Sequence, residues 1–428
     1  MQALRGTKDI LPQESIYWQY IYNKALKILS LYNYLEIRTP VIESVDLFKR
    51  SIGEATDILS KEMYTFTDQS NRNIALRPEG TASIARAFIN HQLYQKNTQR
   101  LWYLGPMFRY ERPQSGRQRQ FHQLGIECIG SLNPMADAEV INLANRFLQE
   151  IQFRSYKIEI NSIGSLENRK KYQQDLIKYL IPYEKDLDKD SQKRLNINPL
   201  RILDSKNKRT QEILNDAPSL SKYLDTESRQ HLWLVCTYLD DLKIKYNVND
   251  RLVRGLDYYN STAFEFKSNL VGSQNAICGG GRYDQLIRQL GGPDTPAVGW
   301  AIGLERLLHI ARDELKIKKK GILIYIATQG IKAQKKIWEI IQVLEKQEIR
   351  FELDLHNNNF QKQLKRASKS GAKACIILGN DEIENNFISI KRLDQHKQYA
   401  INKTNLLEEL KKIEKTVEEK DQKTGTID

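Results

Sequence analysis

The chain has 428 residues, enough for two or three domains and a substantial core, and its formal net charge of +13 points to a polyanionic partner. No apolar run approaches the roughly 20 residues that a membrane span needs, and nothing at the N-terminus reads as a signal or transit peptide. Cys128, Cys236, Cys278 and Cys375 include no Cys-x-x-Cys pair and the six histidines no His-Glu-x-x-His, so reduced thiols and no structural zinc are expected.

Taken in order, Arg5-Gly6-Thr7-Lys8-Asp9 precedes Pro12, which sits just inside a predicted helix start. Between residues 13 and 32, Tyr17, Ile21, Ala25, Ile28 and Tyr32 recur at spacings of three and four, one helical stripe facing a core. Tyr34-Leu-Glu-Ile-Arg-Thr-Pro40 reads as a strand that Pro40 ends or marks as an edge. Short strands over 63–66 and 74–76 lead to Arg77-Pro-Glu-Gly-Thr81, a turn ahead of a helix over 82–91. A proline there fixes one torsion and a glycine frees another, which holds Glu79 and Thr81 at the helix start. Thr81 alone reads as an N-cap. Glu79, beside a helix N-terminus, is expected to stay ionised and to suit a substrate ammonium group.

Residues 100–129 carry two apolar and aromatic runs around Pro113, Gly116, Arg112, Arg117 and Arg119, a pattern that predicts two antiparallel strands joined by a long basic loop. Alternation places Gly105, Met107, Arg109 and Glu111 on one side of the outgoing strand, and Gln123, Gly125 and Glu127 on one side of the return. A hairpin standing alone with such a face would simply be solvated there. With Gly125 between two polar groups, the face is instead expected to leave room for a substrate to lie on the sheet.

Val140, Leu143, Phe147 and Ile151 stripe a helix over 138–153, and 158–160 reads as a strand. The stretch from about 166 to 232 is charged, Lys-rich and helical, interrupted by Pro182, Pro199 and Pro218. It reads as an inserted all-helical module, a solvated helical hairpin without a ligand being the plain alternative. Arg251-Leu-Val-Arg-Gly-Leu-Asp-Tyr-Tyr259 then leads to an alternating strand over 262–266. Arg254, Gly255, Asp257, Tyr258 and Tyr259 together are unusual for a strand end, although a salt bridge with aromatic packing would also account for them. Ala276-Ile-Cys-Gly-Gly-Gly-Arg-Tyr-Asp284 puts three glycines at a strand end, where backbone can approach a ligand. It is neither a dinucleotide fingerprint, since Asp284 stands where the third glycine belongs, nor a phosphate loop, since no Gly-Lys-Ser/Thr follows. Residues 297–306 read as a short strand entering a helix packed through Leu304, Leu307, Leu308 and Ala311, with Arg306 near its start.

A basic run over 316–320 suits a domain boundary, and beyond it the pattern alternates between strand and helix. Strands are expected at 322–327, 350–355 and 374–378. Ile337, Ile340, Ile341 and Leu344 stripe one helix, and a second over 360–370 is closed by Gly371. Two short strands and a helix complete an α/β domain of about 100 residues, with a charged, frayed tail from about Glu414.

Over essentially its whole length the sequence resembles the histidyl-tRNA synthetase family, bacterial or organellar type. Arg38-Thr39-Pro40 is similar to class II motif 1, residues 100–129 to motif 2, and Gly299-Trp-Ala-Ile-Gly-Leu-Glu-Arg306 to motif 3. Leu252-Val-Arg-Gly-Leu-Asp-Tyr-Tyr259 and Ala276-Ile-Cys-Gly-Gly-Gly-Arg-Tyr283 resemble the signatures that set this family apart within the class. The resemblance implies an α+β catalytic domain with a mixed, mostly antiparallel sheet over 1–320, the helical insertion within it, and an α/β anticodon-binding domain over 321–428.

It also implies ATP-dependent formation of histidyl-adenylate, transfer to the terminal adenosine of tRNA(His), magnesium with the ATP, and a homodimer built across motif 1. Arg109 and Arg254 would act on the α-phosphate and the substrate carboxylate, Arg306 on the γ-phosphate, Glu111 on the adenine amino group, and Phe121 as a stacking platform. Glu79, Thr81 and Gln123 would take the ammonium group, Glu127 and Tyr259 would face the imidazole, and Tyr258 would complete the histidine-binding residues. A site so built can reject analogues by about 10⁴-fold. Arg112, Arg117 and Arg119 would meet the acceptor end of the tRNA. No zinc or organic cofactor is implied, and the setting would be a bacterial cytosol or a plastid stroma. The alternative within the same fold is the non-catalytic regulatory subunit of ATP phosphoribosyltransferase, which predicts a lost signature around Arg254 and no anticodon domain.

Overall fold

The computed structural model describes the chain except for residues 54, 55, 97, 115, 272–275, 313, 316, 318–320, 357 and 424–428; most of the basic run expected to mark the boundary lies outside the described residues. Two compact units result, Met1–Lys316 and Ile317–Asp428.

The first unit is built on an eight-stranded sheet. Across it the order is Leu35–Glu36, Gln99–Phe108, Gln120–Ile129, Ala297–Gly303, Ala276–Arg282, Asn260–Lys267, Lys157–Ser162 and Asn247–Val248. Only the two outermost pairings are parallel; the rest are antiparallel. Register explains its two faces. One cross-strand row runs Trp102, Ile126, Trp300, Gly280, Phe264, Ile160, and its large side chains are buried. This face packs against the helices Pro134–Glu150 and Thr226–Asp241, and Trp300 Nε1 donates to Val140 O at 2.8 Å. The neighbouring row runs Tyr103, Gly125, Ala301, Gly279, Glu265, Glu159, small in the middle and charged at one end. Such a row cannot build a core, and it floors a cavity instead.

The sequence reading needs adjustment at several elements. The strand expected over 34–40 shrinks to Leu35–Glu36, because Arg77 gathers the residues after it: its Nη1 donates to Thr39 O at 2.9 Å and its Nε to Pro106 O at 2.9 Å. The helix expected from 138 begins at Pro134, where Asn133 caps the amide of Met135. The N-cap of the helix Thr81–Asn90 is Gly80 rather than Thr81, and the exposed amides are taken by the Glu79 carboxylate. The insertion is no solvated hairpin. Tyr172, Leu176, Leu180, Leu195, Ile202 and Ile213 bury themselves in one cluster with Tyr258 and Tyr259, and helix continues to Asp241.

The second unit has a five-stranded sheet in the order Phe351–Leu353, Ile324–Thr328, Ala374–Leu378, Phe387–Arg392, Lys397–Asn402. Its central strands are buried on both faces. Gly371, at φ 80°, ends the helix Phe360–Ser370 in the left-handed conformation, as expected of a glycine there. The C-terminal helix runs Leu406–Lys423, past the point at 414 where the sequence reading placed the tail, and Leu410 and Ile413 pack its first part into the core. Among the described residues no helix is long and apolar enough to cross a membrane.

Candidate active site

A cavity of about 470 Å³ opens above the small-residue row, floored by Ala301, Gly279 and Gly303. Of the residues singled out from sequence, all but Glu127, Arg112 and Arg119 line it. The space expected above Gly125 is not free: the Tyr103 phenol ring fills it, lying so close to both Gly80 and Gly125 that a Cβ at either would overlap it. Sequence alternation marked the vacancy but could not show which side chain occupied it.

Glu127 lies one layer below the wall, 1 % exposed. Thr81 Oγ1 donates to its Oε1 at 2.8 Å and the Tyr283 hydroxyl to its Oε2. Burial pushes its pKa up to about 8 against the pull of these two hydrogen bonds, with Glu79 adding to the rise. Tyr258 and Tyr259 pack over the same acid, their rings 4.6 Å apart and Tyr283 5.7 Å from Tyr258. Burial raises all three phenols, which keeps them neutral donors. Glu79 accepts from the amides of Thr81 and Ala82, each at 2.8 Å. Burial still raises its pKa above the ordinary carboxylate value despite those bonds and Arg109, so the ionisation expected from the helix end alone is opposed. Gln123 Oε1 is buried without a protein partner.

Six arginines line the cavity, and four of them reach it from three segments: Arg109 and Arg117 from the hairpin, Arg254 from the stretch before Asn260–Lys267, and Arg306 from the helix Leu304–Ala311. Arg109, just past its strand, is held by Nε donating to Pro78 O at 2.8 Å and lies over the Phe121 ring at 5.2 Å. Arg117 returns from the loop to pair with Glu111 at 2.8 Å. Arg306 enters from the first turn of Leu304–Ala311 and donates to Ala276 O at 2.6 Å. Burial, then the neighbouring positive charge of Arg117, holds its pKa below the ordinary value, and Arg109 adds to this. Three guanidiniums crowded this closely favour an anion among them. Arg254 lies over Gly279 and pairs with Glu265; burial opposes its charge, and Glu265 with the nearby phenols outweighs that.

The other two basic loop residues stand apart from the wall. Arg119 stacks on Tyr110 at 3.7 Å, and its amide donates to Gly6 O at 2.7 Å, tying the loop to the N-terminal segment. Arg112 is exposed.

Sequence reasoning missed Tyr103, Tyr283, Glu265 and two insertion residues, Arg194 and Arg201, which line the cavity and reach Asp57 at 3.5 and 3.7 Å. The signal for Tyr283 was its place beside the glycine run. Nothing in local pattern marks Arg194 or Arg201: Arg194 simply follows Lys193 in the Lys-rich insertion, and Arg201 stands between Leu200 and Ile202.

An antiparallel sheet with a hairpin delivering Arg109 and a strand-to-helix junction delivering Arg306 to one cavity is the fold of class II aminoacyl-tRNA synthetases. Residues 6–307 match the family model described as histidyl-tRNA synthetase, and 323–413 the model described as anticodon binding domain. The chloroplastic histidine–tRNA ligase of Gracilaria tenuistipitata var. liui is 67 % identical, covering 97 % of this chain and 99 % of its own. The histidine–tRNA ligase of Cyanothece sp. (strain PCC 7425 / ATCC 29141) is 52 % identical over 95 % of each. Apo histidyl-tRNA synthetase from S. aureus superposes with a TM-score of 0.80 at 37 % identity, over 96 % of this chain and 100 % of that one. The chain belongs to the histidyl-tRNA synthetase family.

Proposed function

We propose that the cavity above the eight-stranded sheet is where this chain, a histidine–tRNA ligase, joins histidine to ATP and then to tRNA(His). The observation that carries this reading is that Arg109, Arg254 and Arg306, from three separate segments, line one cavity with Glu79, Thr81 and Gln123. A carboxylate oxygen of histidine attacks the α-phosphorus of ATP, diphosphate leaves, and histidyl-adenylate forms. Arg109 and Arg254 offset the negative charge gathering on that phosphorus, already in place before it develops. Arg306 takes the γ-phosphate, relieving its own crowding with Arg109 and Arg117. Adenine slides onto Phe121, with Glu111 accepting from its amino group. A ribose hydroxyl of the terminal adenosine of tRNA then attacks the adenylate carbonyl and AMP leaves.

The substrate ammonium group is read by Glu79, Thr81 and Gln123, whose unpartnered Oε1 supplies an acceptor. Glu127, Tyr258 and Tyr259 read the imidazole. Both oxygens of Glu127 already receive a hydroxyl, and each keeps a lone pair for a ring N–H. Magnesium carried on ATP would supply neutralisation of part of the phosphate charge, alongside Arg306. Among the described residues no group of three His, Cys, Asp or Glu side chains gathers to hold a metal by itself.

The unit after residue 316 reads the anticodon, and Arg112 and Arg117 meet the acceptor end, Arg119 shaping their loop from its stack on Tyr110. Two chains pair across motif 1, where Leu35 and Ile42 are 62 % and 50 % exposed beside a sheet edge. The setting is a plastid stroma or a bacterial cytosol, in keeping with the chloroplastic and cyanobacterial relatives. The regulatory-subunit alternative is less supported, because curated relatives matching nearly the whole chain are ligases. Charging total tRNA with each amino acid in turn tests the reading. Only histidine is expected to be attached, and charging by another amino acid at a comparable rate would refute it.

A further inference from the structure

Glu265 stands on the strand Asn260–Lys267 between Phe264 and Phe266, whose rings are fully buried on the opposite face of the sheet. The alternation therefore aims its carboxylate to the cavity side, where its cross-strand partner is Gly279. Arg254 crosses over that same glycine, so close that a Cβ at 279 would overlap the guanidinium, and its Nη1 meets Glu265 Oε1. The Tyr259 ring packs against Arg254 with 5.4 Å between centroid and Cζ. Behind the carboxylate, Lys267 Nζ lies 3.5 Å from Glu265 Oε2 and 2.6 Å from Glu159 Oε2, and Glu159 also accepts from Asn249 at 2.7 Å. Charges thus alternate from the sheet's far edge to the cavity. Arg254 Nε, although buried, has no protein partner.

We propose that Glu265 is a positioning residue for Arg254. It grips one edge of the guanidinium, Gly279 provides the seat and Tyr259 the flank, so the remaining N–H groups are presented to the reacting phosphate. Lys267, tethered to Glu159, keeps the carboxylate from swinging out of line. An arginine on a flexible stem serves a transition state only if its direction is settled beforehand, and outer partners of this kind settle it. The inference rests on the reading of Arg254 given above.

Histidine-dependent ATP–diphosphate exchange tests it in wild type, Glu265→Gln, Arg254→Ala and the double variant. Glu265→Gln is expected to lower kcat about 30-fold while the KM values for histidine and ATP move less than about threefold. In the Arg254→Ala background the same change should cost less than about twofold, because the group it positions is gone. Losses that multiply in the double variant, or wild-type kcat in Glu265→Gln, overturn the assignment. A fully active Arg254→Ala enzyme overturns it together with the reading of Arg254, whereas a crippled Arg254→Ala beside an unaffected Glu265→Gln removes this inference alone. If Glu265→Gln does not fold, Glu265→Asp replaces it, displacing the carboxylate by one methylene, and the same outcomes decide.

Discussion

The two sheets of this protein use the same secondary structure to opposite ends. In the second unit, Ile324, Ile326, Ala374 and Ile376 pack into one core while Tyr325, Ala327, Cys375 and Ile377 pack into another, so the central strands meet helices on both faces. In the first unit one face does the same through Trp102, Trp300 and Phe264, and the other carries glycine, alanine and charge beneath a cavity. A sheet buried twice is a scaffold. A sheet buried once has a free face, and here that face is occupied by side chains whose charges cost stability unless they are paired.

Three measurements would sharpen or break this contrast. The largest effect belongs to Arg254→Ala, expected to slow histidine-dependent ATP–diphosphate exchange by at least about 10²-fold while the chain stays folded at the assay temperature, as for loss of one preorganised charge contact. Near-normal exchange would take the polar face out of the chemistry. Next, a chain ending at residue 316 should keep that exchange and lose at least about tenfold in tRNA charging, because one of two regions gripping the same RNA is gone. Full charging by the shortened chain would mean that the doubly buried sheet supports no recognition.

The smallest effect concerns Glu127. With its folded pKa near 8 against an ordinary 4.5, the folded chain holds an extra proton on Glu127 between those values, so the contribution of this one group is fully present below about pH 4.5 and is lost as pH rises toward 8. Over this range the thermal midpoint of wild type should fall relative to that of Glu127→Gln, the difference isolating this one acid. Parallel slopes would show that the acid is ionised throughout.

What was legible in the sequence follows the same division. The strand Ala374–Leu378 and the helix Phe360–Ser370 with its Gly371 stop were read to the residue, because a doubly buried strand is an unbroken apolar run and a left-handed stop wants glycine. The polar face announced itself as glycines and acids where apolar residues belonged. Its occupants did not. Tyr103 over Gly125, Arg254 over Gly279 and Arg194 beside Asp57 are each set by partners far away in sequence, and periodicity carries no record of them. Likewise, Thr81 looked like the cap because threonine often is one, whereas Glu79 had both the length and the position to take two amides.

The seat at Gly279 carries a lesson for anyone seeking a hardier form of this protein. Replacing a glycine in mid-strand by a β-branched residue is a routine recipe for heat resistance, since it restores strand propensity and trims the freedom of the denatured chain. Applied at this position it would evict the guanidinium resting there. The softness of that strand is therefore a working part, and thermostabilisation belongs on the other sheet.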